Sequence, residues 1–301
     1  MKKMQAYLSK FFNEFNYLST DAEYLLSVYN KIVKNKKAFK IFYKSIKLYK
    51  KSKDIDFLKI LEYSNQTAKI ISEHEYAVNF LTLACLTKTQ QKYYKKAKLP
   101  YDLYYNTMLD LRYKLDECKL VKGKVGTFVP NWYARFFSLK LFTFSRLQFE
   151  IKTFGKDYLK NGNKLLADSK VLNVHIPRSK QPLSEELFIK SFKQAKEFFK
   201  DTLGENPAFV CHSWLLYPDT LSLYSENSNT YKFAKLFDII STGENENNED
   251  LWRLFDTDEK DPTKLPNDTS IRRAFISHLK SGGKTGWGYG VFFYQDLHAK
   301  I

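Results

Sequence analysis

No proline occurs before Pro100 and no glycine before Gly123. These residues supply most of the rigid corners and positive-φ positions that hairpins need, so this stretch is not a strand-and-turn domain. Cysteine is nearly as scarce: Cys85, Cys118 and Cys211 stand far apart, with no CxxC pair. That excludes a zinc motif or a disulfide framework and points to free, buried thiols in a reducing compartment. Arginine contributes 7 of the 49 basic residues, which removes most of the bidentate donors that nucleic-acid readers use. Glu73, His74 and Glu75 adjoin, a spacing that scatters side chains around a helix instead of converging them on a metal. Long apolar runs are missing too. Lys10 and Glu14 interrupt the first segment, so neither a signal peptide nor an anchor is expected. The uncharged stretch from Tyr76 to Thr87 is too short to cross a bilayer. These absences describe a soluble, cytoplasmic protein with no metal site and no membrane partner.

What is present is apolar and basic. Hydrophobic residues make up 44% of the 301 and aromatics 17%, enough for two packed cores. The net charge is +16, and residues 1–160 hold 31 basic against 14 acidic residues. The excess is therefore confined to the front half. A solvated lysine face is the first reading of it, and an anionic partner or substrate the second. Front-half apolar residues recur at helical spacing: Phe11, Phe12, Phe15 and Leu18, then Tyr24, Leu25, Val28 and Ile32. Similar periods run through Phe39–Tyr49, Ile70–Tyr94 and Tyr101–Leu120. Tyr93, Tyr94, Tyr101, Tyr104 and Tyr105 lie among lysines; they read as bundle packing with a basic rim, and nucleic acid is the least favoured partner. A last aromatic helix is expected over Trp132–Arg146. From Leu147 to Lys152 the pattern alternates with period two, a strand with one wet face. The expected domains are thus 1–146 and 147–301.

The rear half mixes periods. Val171–Ile176 and Phe209–Leu216 read as strands. Between them, Ser184 caps a helix with Phe188, Phe192, Ala195 and Phe199 on one stripe. Strand, helix and strand at that spacing form a parallel crossover. A strand over Phe237–Ser241, helices over Asp250–Phe255 and Ser270–Lys280, and a closing strand over Val291–Tyr294 complete the pattern.

Three segments carry a resemblance: Leu172-Asn173-Val174-His175-Ile176-Pro177, Phe209-Val210-Cys211-His212-Ser213-Trp214-Leu215-Leu216, and Gly282-Gly283-Lys284-Thr285-Gly286-Trp287-Gly288-Tyr289-Gly290. They are similar to the GNAT-like C-terminal domain of a bacterial acyltransferase-domain family. Leu103–Leu111 and Arg146–Glu150 resemble that family's helical N-terminal domain. The resemblance implies a mixed α+β and α/β protein, an N-terminal helical bundle followed by a GNAT-like mixed sheet with flanking helices. It also implies acyl transfer from a CoA thioester, usually acetyl-CoA, to a small-molecule or peptide amine, the bundle covering the cleft and selecting that acceptor. One departure stands out. Where GNAT proteins place Q/R-x-x-G-x-G/A to cradle the pyrophosphate, this chain has Arg178-Ser179-Lys180-Gln181-Pro182-Leu183, without glycine.

Candidate chemistry follows. Alternation puts Asn173 and His175 on one strand face and Val210, His212 and Trp214 on one face of the next. His175 or His212 then suits the base that deprotonates the amine, and Tyr217 the donor to the departing thiolate. Alternatively, both histidines only fix the core by hydrogen bonds. Arg178 and Lys180 supply positive charge for the CoA phosphates. Gly282, Gly283, Lys284 and Gly286 belong to a run with five glycines in nine residues. It reads either as a loop wrapping a phosphate or acyl chain, or as a turn into the last strand. Cys211 points away from His212 and reads as a buried thiol. His278 reads as a core histidine near a helix C-terminus, and His298 lies in the tail. The rival to an enzyme is a non-catalytic ligand-binding or interaction protein on the same scaffold; nothing in the sequence sets an oligomeric state.

Overall fold

A computed structural model describes residues 2–51, 55–160 and 162–297; His298 lies outside the described residues. The chain divides into two compact units, Met1–Lys140 and Leu141–Ile301.

The first unit is helical: α1 (Lys2–Glu14), α2 (Ser19–Lys34), α3 (Lys36–Lys51), α4 (Phe57–Ile70), α5 (Glu75–Lys96), α6 (Tyr101–Met108), α7 (Asp110–Lys122), a 3₁₀ turn (Pro130–Tyr133) and α8 (Ala134–Phe137). Helix α5 is buried all round, from Ala77 through Thr87. That is the signature of a central helix, not an amphipathic surface one. Around it Phe12, Phe15, Leu25, Ile32 and Ile60 are almost fully buried, each contributing about 1.5–3 kcal/mol. Leu18 does not join them; it is 60% exposed, because α1 stops at Glu14 and Asn16 turns into the left-handed region. The tyrosines of the basic stretch do pack: Tyr94 and Tyr104 meet edge to face at 5.5 Å. Gln90, wholly buried, accepts from the Tyr49 hydroxyl and donates to Phe136 O at 2.8 Å.

His74 caps α5. Its Nδ1 accepts from Ala77 N at 3.3 Å, and its Nε2 meets the Tyr24 hydroxyl at 2.8 Å. Burial pushes its pKa down; Glu73 opposes the shift and Lys124 reinforces it. The folded protein therefore binds this proton less readily than the unfolded chain. Stability is full above the unfolded value of about 6.5 and declines as pH falls through it. His74→Asn retains a capping side chain without a titrating group. Thermal melts are expected to show a smaller Tm loss between about pH 7 and pH 5.5 than in the unsubstituted protein; an unchanged slope refutes the assignment.

The expected helix over 132–146 is not formed. After α8, Leu139 adopts φ 56° and the chain enters β1 (Leu141–Phe144). Ser145, at φ 50°, opens a tight turn into β2 (Leu147–Thr153). The division thus falls at Lys140/Leu141 and not near residue 146. A short run of aromatics satisfies either period, and packing decides: Phe142 and Phe144 each sit 5.1 Å from Phe198.

The second unit adds β3 (Tyr158–Lys160), β4 (Asn163–Leu165), β5 (Lys170–His175), α9 (Glu185–Leu203), β6 (Ala208–Ser213), a 3₁₀ turn (Trp214–Leu216), α10 (Pro218–Leu221), α11 (Asn229–Lys235), β7 (Asp238–Glu244), α12 (Leu251–Phe255), α13 (Ser270–Lys280) and β8 (Gly286–Phe293). Six strands form one sheet in the order β1-β2-β5-β6-β8-β7, and β5 and β6 are its parallel pair, joined through α9. The stripe Phe188, Phe192, Ala195 and Phe199 is buried. Phe192 lies 5.8 Å from Phe149, 4.8 Å from Phe209 and 5.2 Å from Phe292, so α9 closes one sheet face. The β3–β4 hairpin covers one end of the other face. There Phe154, Leu165, Val171, Ala208, Val210 and Val291 form a core, and Tyr158 and Lys160 bind Asp238 at 3.0 and 2.6 Å.

Candidate functional site

Beyond the hairpin, the same sheet face is polar. Among the described residues, β5 and β6 pair only through Leu172/Phe209 and Asn173/Val210. Each strand then continues against its outer neighbour, β5 to His175 along β2 and β6 to Ser213 along β8. Two parallel strands that stay paired outward but not to each other have parted. The backbone groups along such a gap face whatever enters it.

His175 stands at this parting. Its Nε2 lies 2.8 Å from Glu150 Oε1, and Asn173 Nδ2 donates to the same oxygen at 3.1 Å. A carboxylate oxygen accepts only, so Nε2 carries the imidazole proton and Nδ1 the basic lone pair. Asn173 Nδ2 and His175 Nε2 lie 2.9 Å apart, completing a triangle in which both nitrogens donate to Glu150 Oε1 and not to each other. His175 and Glu150 side chains are 17% and 15% exposed, which shields the pair without sealing it. Asn173 is 6% exposed, and its Oδ1 is buried without a hydrogen-bond partner among the described residues. Such an acceptor costs about 1–3 kcal/mol unless something donates to it. Sequence reading had missed Glu150 as the partner; the alternating Gln148, Glu150 and Lys152 signalled a wet face but not what it faced.

His212 shares this face, two residues past the bridge, as His175 does. The two do not hydrogen-bond. His212 instead stacks on Trp287 at 4.5 Å and 29°, with Tyr289 at 6.2 Å. Its pKa is lowered by partial desolvation and by Lys152, and Asp250 opposes the shift. Cys211 points to the opposite face, its thiol pushed up to about 12 by burial, which excludes a nucleophilic role at neutral pH.

Tyr217 lies elsewhere. Its ring packs behind β8, where a Cβ on Gly286 would come within 2.7 Å of it, on the face opposite the histidines. Its hydroxyl donates to Asp219 at 3.2 Å. Burial and the Asp219 charge raise its pKa.

The glycine cluster is a turn leading into a strand. Gly282 ends α13 at φ 89°. Gly283 lies under the His278 ring, whose Nε2 donates to Lys284 O at 3.0 Å; His278 is thus a half-buried turn clamp, not a core histidine. Lys284 pairs with Glu244 at 2.9 Å. Gly286, Gly288 and Gly290 alternate with Trp287 and Tyr289 along β8, aromatics toward the site and glycines toward the 3₁₀ turn at Trp214–Leu216.

The segment between β5 and α9, which carries Arg178 and Lys180, is held from inside the unit. Buried Arg146 donates to Pro177 O at 2.7 Å and to Gln181 O at 3.0 Å, tying its carbonyls down. Ser184 caps α9 without a side-chain hydrogen bond, so its hydroxyl leaves the first-turn N–H groups to other acceptors. Glu185 lies 3.5 Å from Lys232. Arg178 pairs with Asp256, and Arg272 binds the same carboxylate at 2.9 Å. Lys180 is exposed.

Compared with known families, residues 6–139 match the N-acyltransferase N-terminal domain and residues 141–292 the GNAT-like C-terminal domain. No curated protein matches. Among solved structures, a mutant acyltransferase in complex with octanoyl-CoA is similar at 17% identity and TM-score 0.75, over 94% of this chain and 86% of that one. An acyltransferase with decanoyl-CoA is similar at 16% and 0.67, with the same coverages. One with decanoyl-CoA and teicoplanin is similar at 16% and 0.63, over 95% and 99%. At these identities what is shared is the fold.

Proposed function

Because this chain belongs to the acyltransferase family that joins an N-acyltransferase N-terminal domain to a GNAT-like C-terminal domain, we propose that it transfers an acyl group from a CoA thioester to an amine, with His175 as the base. The observation that carries this reading is the parting of β5 and β6 beside the Glu150–His175 pair. In this reading the thioester arm lies along the gap and the diphosphate at the start of α9, near Arg178 and Lys180. Asn173 Oδ1 offers an acceptor to an incoming N–H. His175 Nδ1 takes the proton as the amine nitrogen attacks the thioester carbonyl. The C–S bond then breaks, CoA leaves as the thiolate, and the imidazolium later returns its proton to the thiolate or to water. Glu150 stabilises that imidazolium and holds the ring's orientation.

The relatives were solved with octanoyl-CoA, decanoyl-CoA and teicoplanin, which makes medium-chain donors and a bulky acceptor the first compounds to try. No helix among the described residues is long and apolar enough to cross a membrane. The three cysteines are free and buried, and they support a reducing, cytoplasmic setting.

Thermal melts with octanoyl-CoA, acetyl-CoA and free CoA test the binding. A donor at about a hundred times its Kd stabilises by roughly 2.7 kcal/mol, which raises Tm by several degrees. Stabilisation by CoA compounds without CoA release in the presence of any amine supports the non-catalytic rival, which the glycine-free β5–α9 segment favours. No stabilisation by any of them overturns both.

A further inference from the structure

We propose that Trp287, with His212 laid on it, is the specificity-determining wall for the acceptor, and that the amine it selects is one carried next to an aromatic ring. The inference rests on the acyl-transfer reading and adds the acceptor's class to it.

Three features make Trp287 a built surface. First, the alternation of Gly286, Trp287, Gly288, Tyr289 and Gly290 sends both aromatics to the face that holds His175. Second, Gly243, the cross-strand neighbour of Trp287, has no side chain, and a Cβ there would come within 2.6 Å of indole Cε2. The bare backbone is what lets the indole lie down over β7. Third, the His212 ring stacks on the indole at 4.5 Å while the residue itself stays exposed. A half-buried indole and an exposed imidazole are thus locked by their neighbours and need little ordering when a flat ring arrives. Aromatic partners stack in this offset manner, and preorganisation spares the entropy of ordering the wall.

The position suits an acceptor better than a donor. His175 and His212 lie two residues beyond the same bridge on parallel neighbours, so the wall and the base flank the gap from opposite sides. Charge around the wall is mixed. Lys152 sits over the Tyr289 ring at 5.8 Å, and Asp250 acts on His212 with the opposite sign to Lys152. The chain leaving β7 carries Glu246 and Glu249, both exposed. An amine drawn in as its ammonium ion by this acidic run gives one proton to water to become the nucleophile, and His175 takes the second as the nitrogen attacks the thioester.

The test compares tyramine with hexylamine, which lacks the ring, in the unsubstituted protein and in the Trp287→Ala and Gly243→Ala variants, with folding checked by thermal melt. Calorimetric titration in the presence of CoA measures binding, and CoA release from octanoyl-CoA measures turnover. Trp287→Ala is expected to weaken tyramine about five- to tenfold in Kd and KM, the size of a lost stacking contact. Hexylamine, which loses only aliphatic contact, should weaken distinctly less than tyramine, and the donor KM should not follow the tyramine KM. Gly243→Ala, which pushes the indole without removing it, is expected to show the same selectivity. Equal losses for both amines, or a change confined to donor KM, overturn the inference. If tyramine binds through Trp287 but no amine is acylated, the wall stands and the catalytic reading falls; absence of Trp287-dependent tyramine binding removes the wall whatever the turnover.

Discussion

Replacing His175 by alanine is expected to lower kcat for acyl transfer by about 10²–10⁴-fold, the range a positioned general base contributes. Affinity for CoA should stay unchanged, because the diphosphate seat proposed above is on the segment held by Arg146 and not on His175. The prediction separates base catalysis from a structural role through its companion, Glu150→Gln. Glutamine keeps the shape, but its amide can offer an N–H to Nε2, which stabilises the tautomer with the proton on Nδ1 and takes the lone pair from the attacking amine. A fall in kcat smaller than that of the alanine variant, with Tm retained, is expected. Steady-state CoA release with an accepted amine measures both, and the acid limb of the pH–rate profile should vanish in His175→Ala. Normal turnover by that variant removes His175 from the mechanism and leaves the Glu150–Asn173–His175 triangle as a core hydrogen-bond set.

The second large effect is on stability. Gly288→Ala is expected to cost about 3 kcal/mol or more, the upper end of overpacking penalties. At Gly288 a Cβ would sit 2.2 Å from Leu216 O and 2.6 Å from Leu216 C. Both obstacles are backbone, so no rotamer relieves them. Strand β8 is itself fixed between β6 and β7; either it shifts or the 3₁₀ turn at Trp214–Leu216 lifts off. For a unit of this size the loss corresponds to a Tm fall on the order of 6–12 °C. Gly155→Ala is the control: an added Cβ there meets nothing within 4 Å, and its Tm should barely move. Equal melting of the two variants would show that β8 gives way easily and that its close packing matters little.

Much of the architecture was legible before any coordinates, for identifiable reasons. The absence of proline before Pro100 and of glycine before Gly123 left helices as the one economical solution there. The stripe from Phe188 to Phe199 specified a helix lying on a sheet, and Phe192 does contact three strand phenylalanines. The segment 132–146 was misread because clustered aromatics suit both periods, and left-handed turns at Leu139 and Ser145 are not written in residue type. The glycine cluster leaves a wrapping loop and a turn into the last strand both open in the sequence; its spacing of two is the clue to a strand, with Trp287 and Tyr289 on one face and no side chains on the other.

Local pattern by itself determined the helical front, the β-α-β crossover, and which strand residues share a face with His175 and His212, because each follows from periodicity and backbone preference within a few residues. Only the tertiary structure decided which groups meet. Glu150 reaches His175 through the antiparallel register of β2 on β5, Trp287 reaches His212 through β8 on β6, and Tyr217 ends on the far face. Those pairings join residues far apart in the chain, and register between distant strands is set by the packing of whole faces, which no local run of residues can encode.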